Sequence, residues 1–207
     1  MKLDILSSFC FIIPTIIGIF NFRRFCVVLK LLLITITING LIDGYSYFQH
    51  LLGINSSLLL NLYVIPFMII WTLPIYKSIN SETLKKIVKI LTGITTCIVL
   101  YLLFQINIGI LFCNKCISII GFNLILINLV YLLYVAVFSD KLNLRDHPLF
   151  FISSAFLIYQ AFNTAIFVFM NILDGQALRY LWDFRYISNM ILYTVITLVF
   201  VFYARNK

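Results

Sequence analysis

Charge is scarce in this chain. Of its 207 residues, 11% are Asp, Glu, Lys or Arg, while 63% are hydrophobic. Soluble domains carry roughly a quarter charged residues, and a chain of this size needs them to cover its surface in water. The shortage excludes an ordinary water-soluble fold. Acids are scarcer still, seven against fifteen Lys and Arg, for a formal net charge of +8. So few carboxylates make a poor proton relay. Only two histidines occur, His50 and His147, too far apart in sequence to suggest a metal centre. Glycine and proline number eight and four, and no Gly/Ser-rich stretch marks a linker, so residues 1–207 read as a single domain.

Motifs that carry chemistry are missing as well. There is no G-x-S-x-G, Walker loop, H-E-x-x-H or G-x-G-x-x-G, and no metal or cofactor is expected. Nucleic acid is not an expected partner, because no Lys/Arg-rich block is interleaved with aromatics. The last apolar run contains no lysine that could carry retinal. An enzyme is therefore not expected. A membrane-embedded lipid-modifying enzyme would need histidines or clustered acids at one depth, which the chain lacks.

What is present is a series of long apolar runs. About 20 apolar residues as helix cross ~30 Å of hydrocarbon, and seven segments qualify: roughly 3–22, 26–48, 56–76, 87–107, 117–138, 149–172 and 186–204. Helices are required because isolated strands leave backbone groups unpaired in lipid. The first run follows Lys2 like a secretory signal, but it is longer than an h-region and ends in Asn21-Phe22-Arg23-Arg24 with no cleavage site. Residues 87–138 form one nearly unbroken stretch, divided only at Phe112-Cys113-Asn114-Lys115-Cys116. The fold expected is an all-α membrane protein, a bundle of about seven transmembrane helices.

Local chemistry places several ends. Asn80-Ser81-Glu82 offers an N-cap and a first-turn acid to the fourth span. Asp146-His147-Pro148 does the same for the sixth, and Asp174-Gly175 is read as closing it. Pro14, Pro66 and Pro74 fall inside spans, where neighbouring helices can satisfy the freed carbonyls, so kinks rather than breaks are expected.

Cations set the orientation. Arg23, Arg24, Lys30, Lys77, Lys85, Lys86, Lys89, Lys141, Arg145, Arg205 and Lys207 fall at one set of gaps. Only Lys2, Lys115, Arg179 and Arg185 fall at the other. Eleven against four places the N-terminus outside and the C-terminus in the cytoplasm, and six spans would destroy the alternation. The expected location is a bacterial cytoplasmic (inner) membrane.

Polar residues recur at helical spacing. They are Thr35, Asn39 and Asp43 in the second span; Asn61 and Tyr63 in the third; Asn123, Asn128 and Tyr131 in the fifth. Gln160, Asn163, Thr164 and Asn171 follow in the sixth, then Tyr186, Asn189, Tyr193 and Thr197 in the seventh. Three- and four-residue spacing puts each set on one face, turned into the bundle. Asp43, Asn61, Gln105, Asn123, Asn171 and Asn189 share the outer half. The candidate ligand-binding cluster is Asp43, Asn39, Asn61, Asn123, Asn163, Arg185, Asn189 and Tyr193. The plainer reading is a set of interhelical hydrogen bonds, each contributing about 0.6–2 kcal/mol. Asp43 is the only acid well inside a span, with Arg185 its expected partner. Cys113 and Cys116 form either a small disulfide staple or two reduced thiols, and Cys10, Cys26 and Cys97 are apolar filler.

Residues 146–163, Asp-His-Pro-Leu-Phe-Phe-Ile-Ser-Ser-Ala-Phe-Leu-Ile-Tyr-Gln-Ala-Phe-Asn, carry a resemblance. The pattern is similar to His-Pro-x-Phe-Trp-Ile-Ser before a helix with Tyr and Asn in small uncharacterised bacterial seven-helix membrane proteins. Phe151 stands where that pattern has Trp, and Gln160-Ala161 replaces a small or Gly-containing pair. The match covers about one helix. It implies the helix count, a sensory or signalling role, and no catalytic residues. The expectation is therefore a receptor-like or accessory signalling subunit that binds a small ligand, lipid or partner helix. It would act through a membrane or cytoplasmic protein partner, or as a homo-oligomer, docking on the basic face around Lys77–Lys89 and Lys141–Arg145. That face equally suits topology and anionic lipid. The alternative is a transporter, channel or oligomeric pore, including a membrane-acting defence effector.

Overall fold

A computed structural model describes residues 2–107, 109, 111–138, 147–170 and 172–205. The expectations resting on Lys141, Arg145, Asp146, Asn171 and Lys207 lie outside the described residues, as does the side chain of Arg205. The helices are α1 (Lys2–Phe9), α2 (Ile12–Phe20), α3 (Val27–Leu51), α4 (Ser57–Ser78), α5 (Glu82–Phe104), α6 (Asn114–Phe138), α7 (Pro148–Phe169) and α8 (Gly175–Arg205). A 3-10 turn at Phe22–Arg24 joins α2 to α3. Among the described residues, seven stretches are long and apolar enough to cross a membrane, α1 and α2 counting together as one.

The distribution of side chains suits lipid rather than water. Ile13, Leu62, Ile90, Leu133 and Leu198 sit within the apolar stretches between 59% and 63% exposed, whereas Asn61, Asn128 and Gln160 are 1% exposed. Water would select the reverse. Leu29, Leu32, Ile36, Met68, Ile127 and Phe156 form part of a continuous core between α3, α4, α6, α7 and α8. Trp71 of α4 stacks on Phe156 of α7 with ring centroids 4.1 Å apart. Half of the α7 apolar window is buried but only 17% of that of α5, so α7 is central and α5 peripheral.

Proline acts differently in different helices. Pro66 and Pro74 lie within the unbroken α4. Pro74 has no N–H for the carbonyl of Ile70, and the Thr35 hydroxyl of α3 shares its one hydrogen between that oxygen at 3.1 Å and the Leu31 carbonyl at 2.9 Å. At Pro14 the expected kink is instead an interruption: α1 stops at Phe9 and α2 starts at Ile12. Phe11, in the gap, is buried against Gly40 of α3, where any Cβ would strike its ring. The bare α3 backbone thus makes room for the aromatic side chain at the interruption. Thr35→Val should leave the Ile70 carbonyl without this bond and cost about 1–2 kcal/mol, whereas Thr35→Ser should cost less. Unfolding in mixed detergent micelles measures the difference, and equal stability of all three proteins would contradict it.

The helix ends correct two expectations. Asp174 does not close α7, which ends at Phe169; its Oδ1 accepts from the Ala177 N–H at 2.7 Å and caps the start of α8. With that cap, α8 begins at Gly175, eleven residues before the expected 186. At the fourth span, the Ser81 hydroxyl accepts from Leu84 N–H at 3.5 Å, so α5 begins at Glu82. Pro148 occupies the first turn of α7 after His147.

The two ends of the bundle differ. The end holding the C-terminus carries Lys77, Lys85, Lys86 and Lys89; Lys85 pairs with Glu82 at 2.8 Å, and Lys89 lies 5.3 Å from the Tyr76 ring centroid. Arg24 donates from Nη1 to the Ala204 carbonyl at 3.2 Å, placing a cation where the α8 dipole favours one. The end holding the N-terminus carries the polar side chains described next.

Candidate functional site

α1, α3, α4, α6, α7 and α8 enclose a cavity of about 530 Å³ toward the N-terminal end of the bundle. Its wall runs from His50, exposed in the last turn of α3, through Asp43 to the buried Asn39. These three lie on one face because they are seven and four residues apart. Across from them, α7 contributes Tyr159 and Asn163, while α8 contributes Arg185 and Asn189.

Most of the polar side chains here are fixed by one another. Arg185 donates from Nε to Asn163 Oδ1 at 2.8 Å. Its guanidinium lies 5.0 Å from the Trp182 ring centroid and 5.9 Å from that of Tyr186, contacts that hold it by cation–π attraction. Asn189 donates from Nδ2 to the Ser7 hydroxyl at 2.9 Å and to the Ser7 carbonyl at 3.2 Å, tying α8 to α1. Tyr63 of α4 donates its hydroxyl to Asn39 Oδ1. The amide nitrogen of Asn39 has no hydrogen-bond partner among the described residues. Asp43 stands apart: its carboxylate takes part in no hydrogen bond or ion pair among the described residues, and Arg185 does not close onto it. The expected partnership of Asp43 with Arg185 is therefore electrostatic, acting across the cavity, while Asn163 makes the hydrogen bond to Arg185.

The cavity is floored. On α4 its lining stops at Phe67 and on α7 at Tyr159; one turn deeper, Trp71 stacks on Phe156. Further polar atoms are buried in the bundle without hydrogen-bond partners among the described residues: Trp71 Nε1, Asn123 Oδ1, Thr164 Oγ1 and both amide atoms of Gln160. A buried orphan polar group costs about 1–3 kcal/mol. Gln160→Met removes two such atoms at similar volume and should raise stability by about 1 kcal/mol or more, read as a higher midpoint in detergent unfolding. A lowered midpoint would count against this account of Gln160.

Of the candidate cluster, Asp43, Asn39, Asn163, Arg185 and Asn189 line the cavity. Asn61, Asn123 and Tyr193 do not. Asn61 is 1% exposed and committed to backbone, donating to the Leu111 carbonyl at 2.7 Å and accepting from Cys113 N–H at 3.0 Å. Asn123 directs its Nδ2 at Met68 Sδ, 3.1 Å away. Tyr193 is buried in the core. Gln105 is exposed at the end of α5. Cys113 and Cys116 are joined as a disulfide at the start of α6. Sequence reasoning missed Ser7, Tyr159 and Trp182 as wall residues. Ser7 belongs to a short stripe with Asp4 and Ser8 at three- and four-residue spacing on α1, and all three line the cavity. That stripe and the four-residue step from Tyr159 to Asn163 were the available signals.

His50 and His147 sit at opposite ends of the bundle, and no group of His, Cys, Asp or Glu among the described residues is placed to hold a metal ion. No family model, curated protein or solved structure matches this chain.

Proposed function

We propose that this chain is a receptor-like or accessory membrane protein that binds a small ligand in the cavity around Asp43 and Arg185. Binding shifts α3 against α8 and alters the surface offered to a partner protein at the other end of the bundle. The observation that carries this reading is a carboxylate and a fixed guanidinium lining one cavity with neither a hydrogen bond nor a contact ion pair between them. Ionisable groups held inside a span are costly, and sites of that kind are where intramembrane function concentrates. The cations around Lys77–Lys89 support a cytoplasmic position for that end by the positive-inside rule, and on this reading the cavity faces outward from a bacterial cytoplasmic membrane.

The floor formed by Trp71 and Phe156 favours this reading over a transporter or pore, because the cavity does not continue past it. Purification in mild detergent, followed by identification of co-purifying proteins and small molecules, tests the proposal. Asp43→Ala should release the bound small molecule and change partner recovery while the protein still inserts. Asn189→Leu, which cuts the α8 tie to α1, should do likewise. If both variants retain the same molecules and partners as the parent chain, the reading fails. Solute flux through reconstituted vesicles would replace it with the transporter alternative.

A further inference from the structure

We infer that the cavity selects a zwitterion, a molecule with an ammonium group and an oxyanion a few atoms apart, its ammonium at Asp43 and its oxyanion at Arg185. The inference rests on the ligand-binding reading above and names the ligand class for that site. Asp43 and Arg185 come from α3 and α8 and line one cavity, yet neither a hydrogen bond nor an ion pair joins them. Arg185 is anchored from behind by Asn163 and by the faces of Trp182 and Tyr186, so it does not swing across to neutralise the acid. The site therefore holds two separated, opposite charges.

That arrangement discriminates by charge. In a poorly polarisable setting, a simple anion drawn to Arg185 also meets the Asp43 carboxylate, and a simple cation at Asp43 also meets Arg185. A zwitterion meets a complementary charge at each pole and leaves the sum unchanged. Asn39 adds a second, independent sign of a ligand. Its side chain is 4% exposed, lines the cavity one turn deeper than Asp43, and has an amide nitrogen without a partner. Tyr63, Phe67 and Tyr159 supply aromatic walls for an apolar body and an ammonium face. The other charged or titratable wall groups are Tyr47 of α3 and Tyr186 of α8, with Asp4 and His50 nearer the helix ends, in the first turn of α1 and the last turn of α3.

Two sources supply this chemistry, free amino acids and the headgroup of phosphatidylethanolamine. The full chain in nanodiscs made only of phosphatidylglycerol is heated with one of three probe sets. These are the protein amino acids, the amines left when their carboxyl groups are removed, and the acids left when their amino groups are removed. A parallel sample carries phosphatidylethanolamine in the disc and no added probe. Ligand that binds only the folded protein raises its midpoint. The expected result is a rise of several degrees with the amino acids or with phosphatidylethanolamine, and little with amines or acids alone.

Two variants test the poles. Asp43→Asn should lose preference for the ammonium, so that acids protect as well as zwitterions. Arg185→Lys keeps the charge but not the fork and should weaken binding about tenfold or more. Equal protection of the parent chain by amines, or by acids, overturns the zwitterion and leaves a ligand-binding cavity standing. No protection by any probe or by phosphatidylethanolamine overturns both.

Discussion

Gly121→Leu is expected to destabilise the bundle by about 3 kcal/mol, the upper part of the range for overpacking a close-packed interior. Gly121 lies on α6 where α7 comes closest. A Cβ there would collide with Thr164 Oγ1 and lie 3.1 Å from both Thr164 Cβ and Gln160 Nε2. Thr164 has a short, β-branched side chain with little freedom to turn away, so relief requires the two helices to part. Because α7 is the central helix, that separation spreads to α8 and to the Trp71–Phe156 stack. Small residues at such contacts are what allow membrane helices to pack tightly. Unfolding in detergent mixtures measures the loss. Gly93→Leu on the peripheral α5 is the control, since a Cβ there meets nothing within 4 Å. Similar midpoints for the two variants would remove the argument, and Gly121→Ala combined with Thr164→Ala should recover much of the loss.

The second large effect is expected at Asn61. Its amide holds the segment between α5 and α6 by two bonds, one to the Leu111 carbonyl and one from the Cys113 N–H. Asn61→Leu removes both in a buried place and should cost about 3 kcal/mol, with a penalty for each backbone group left behind. Amide hydrogen exchange should quicken around Cys113. Asn61→Asp keeps the acceptor for Cys113 but turns a carboxylate oxygen toward the Leu111 carbonyl in a buried place and should cost at least as much as the leucine variant. A leucine variant as stable as the parent would show that the clip contributes nothing.

The seven apolar stretches were legible because lipid imposes a length and a composition that a run of side chains displays directly. Their ends were less so. The N-terminal part of α8 contains Arg179, Asp183 and Arg185, and dense charge reads as a loop until the Asp174 cap shows that the helix has already begun. For the site, a stripe four residues apart identified the inward face that carries Asp43, Asn39, Asn163 and Asn189, and charge complementarity to Asp43 singled out Arg185; all five line one cavity. Periodicity did not tell a side chain facing a cavity from one bound to backbone. Asn61 and Asp43 look alike in a stripe, and only the arrival of the Leu111–Cys113 segment separates them. Distance was equally hidden: the sequence offers Arg185 to Asp43, and the α7–α8 register lets Asn163 take its hydrogen bond while the acid acts on it only across the cavity.

The 31 residues of α8 include no proline, and at 1.5 Å per residue they make a rod about 46 Å long, against hydrocarbon ~30 Å thick. Arg185 and Ala204 lie on that rod about 28 Å apart. A swing of about 5° around the Arg185 level therefore carries the far end by roughly 2.5 Å, comparable to the helix movements by which bundles switch state. Arg24, grasping the Ala204 carbonyl, is the first residue to feel it. The molecule thus possesses a stiff lever with a contact at each end, and no separate hinge is needed to link them.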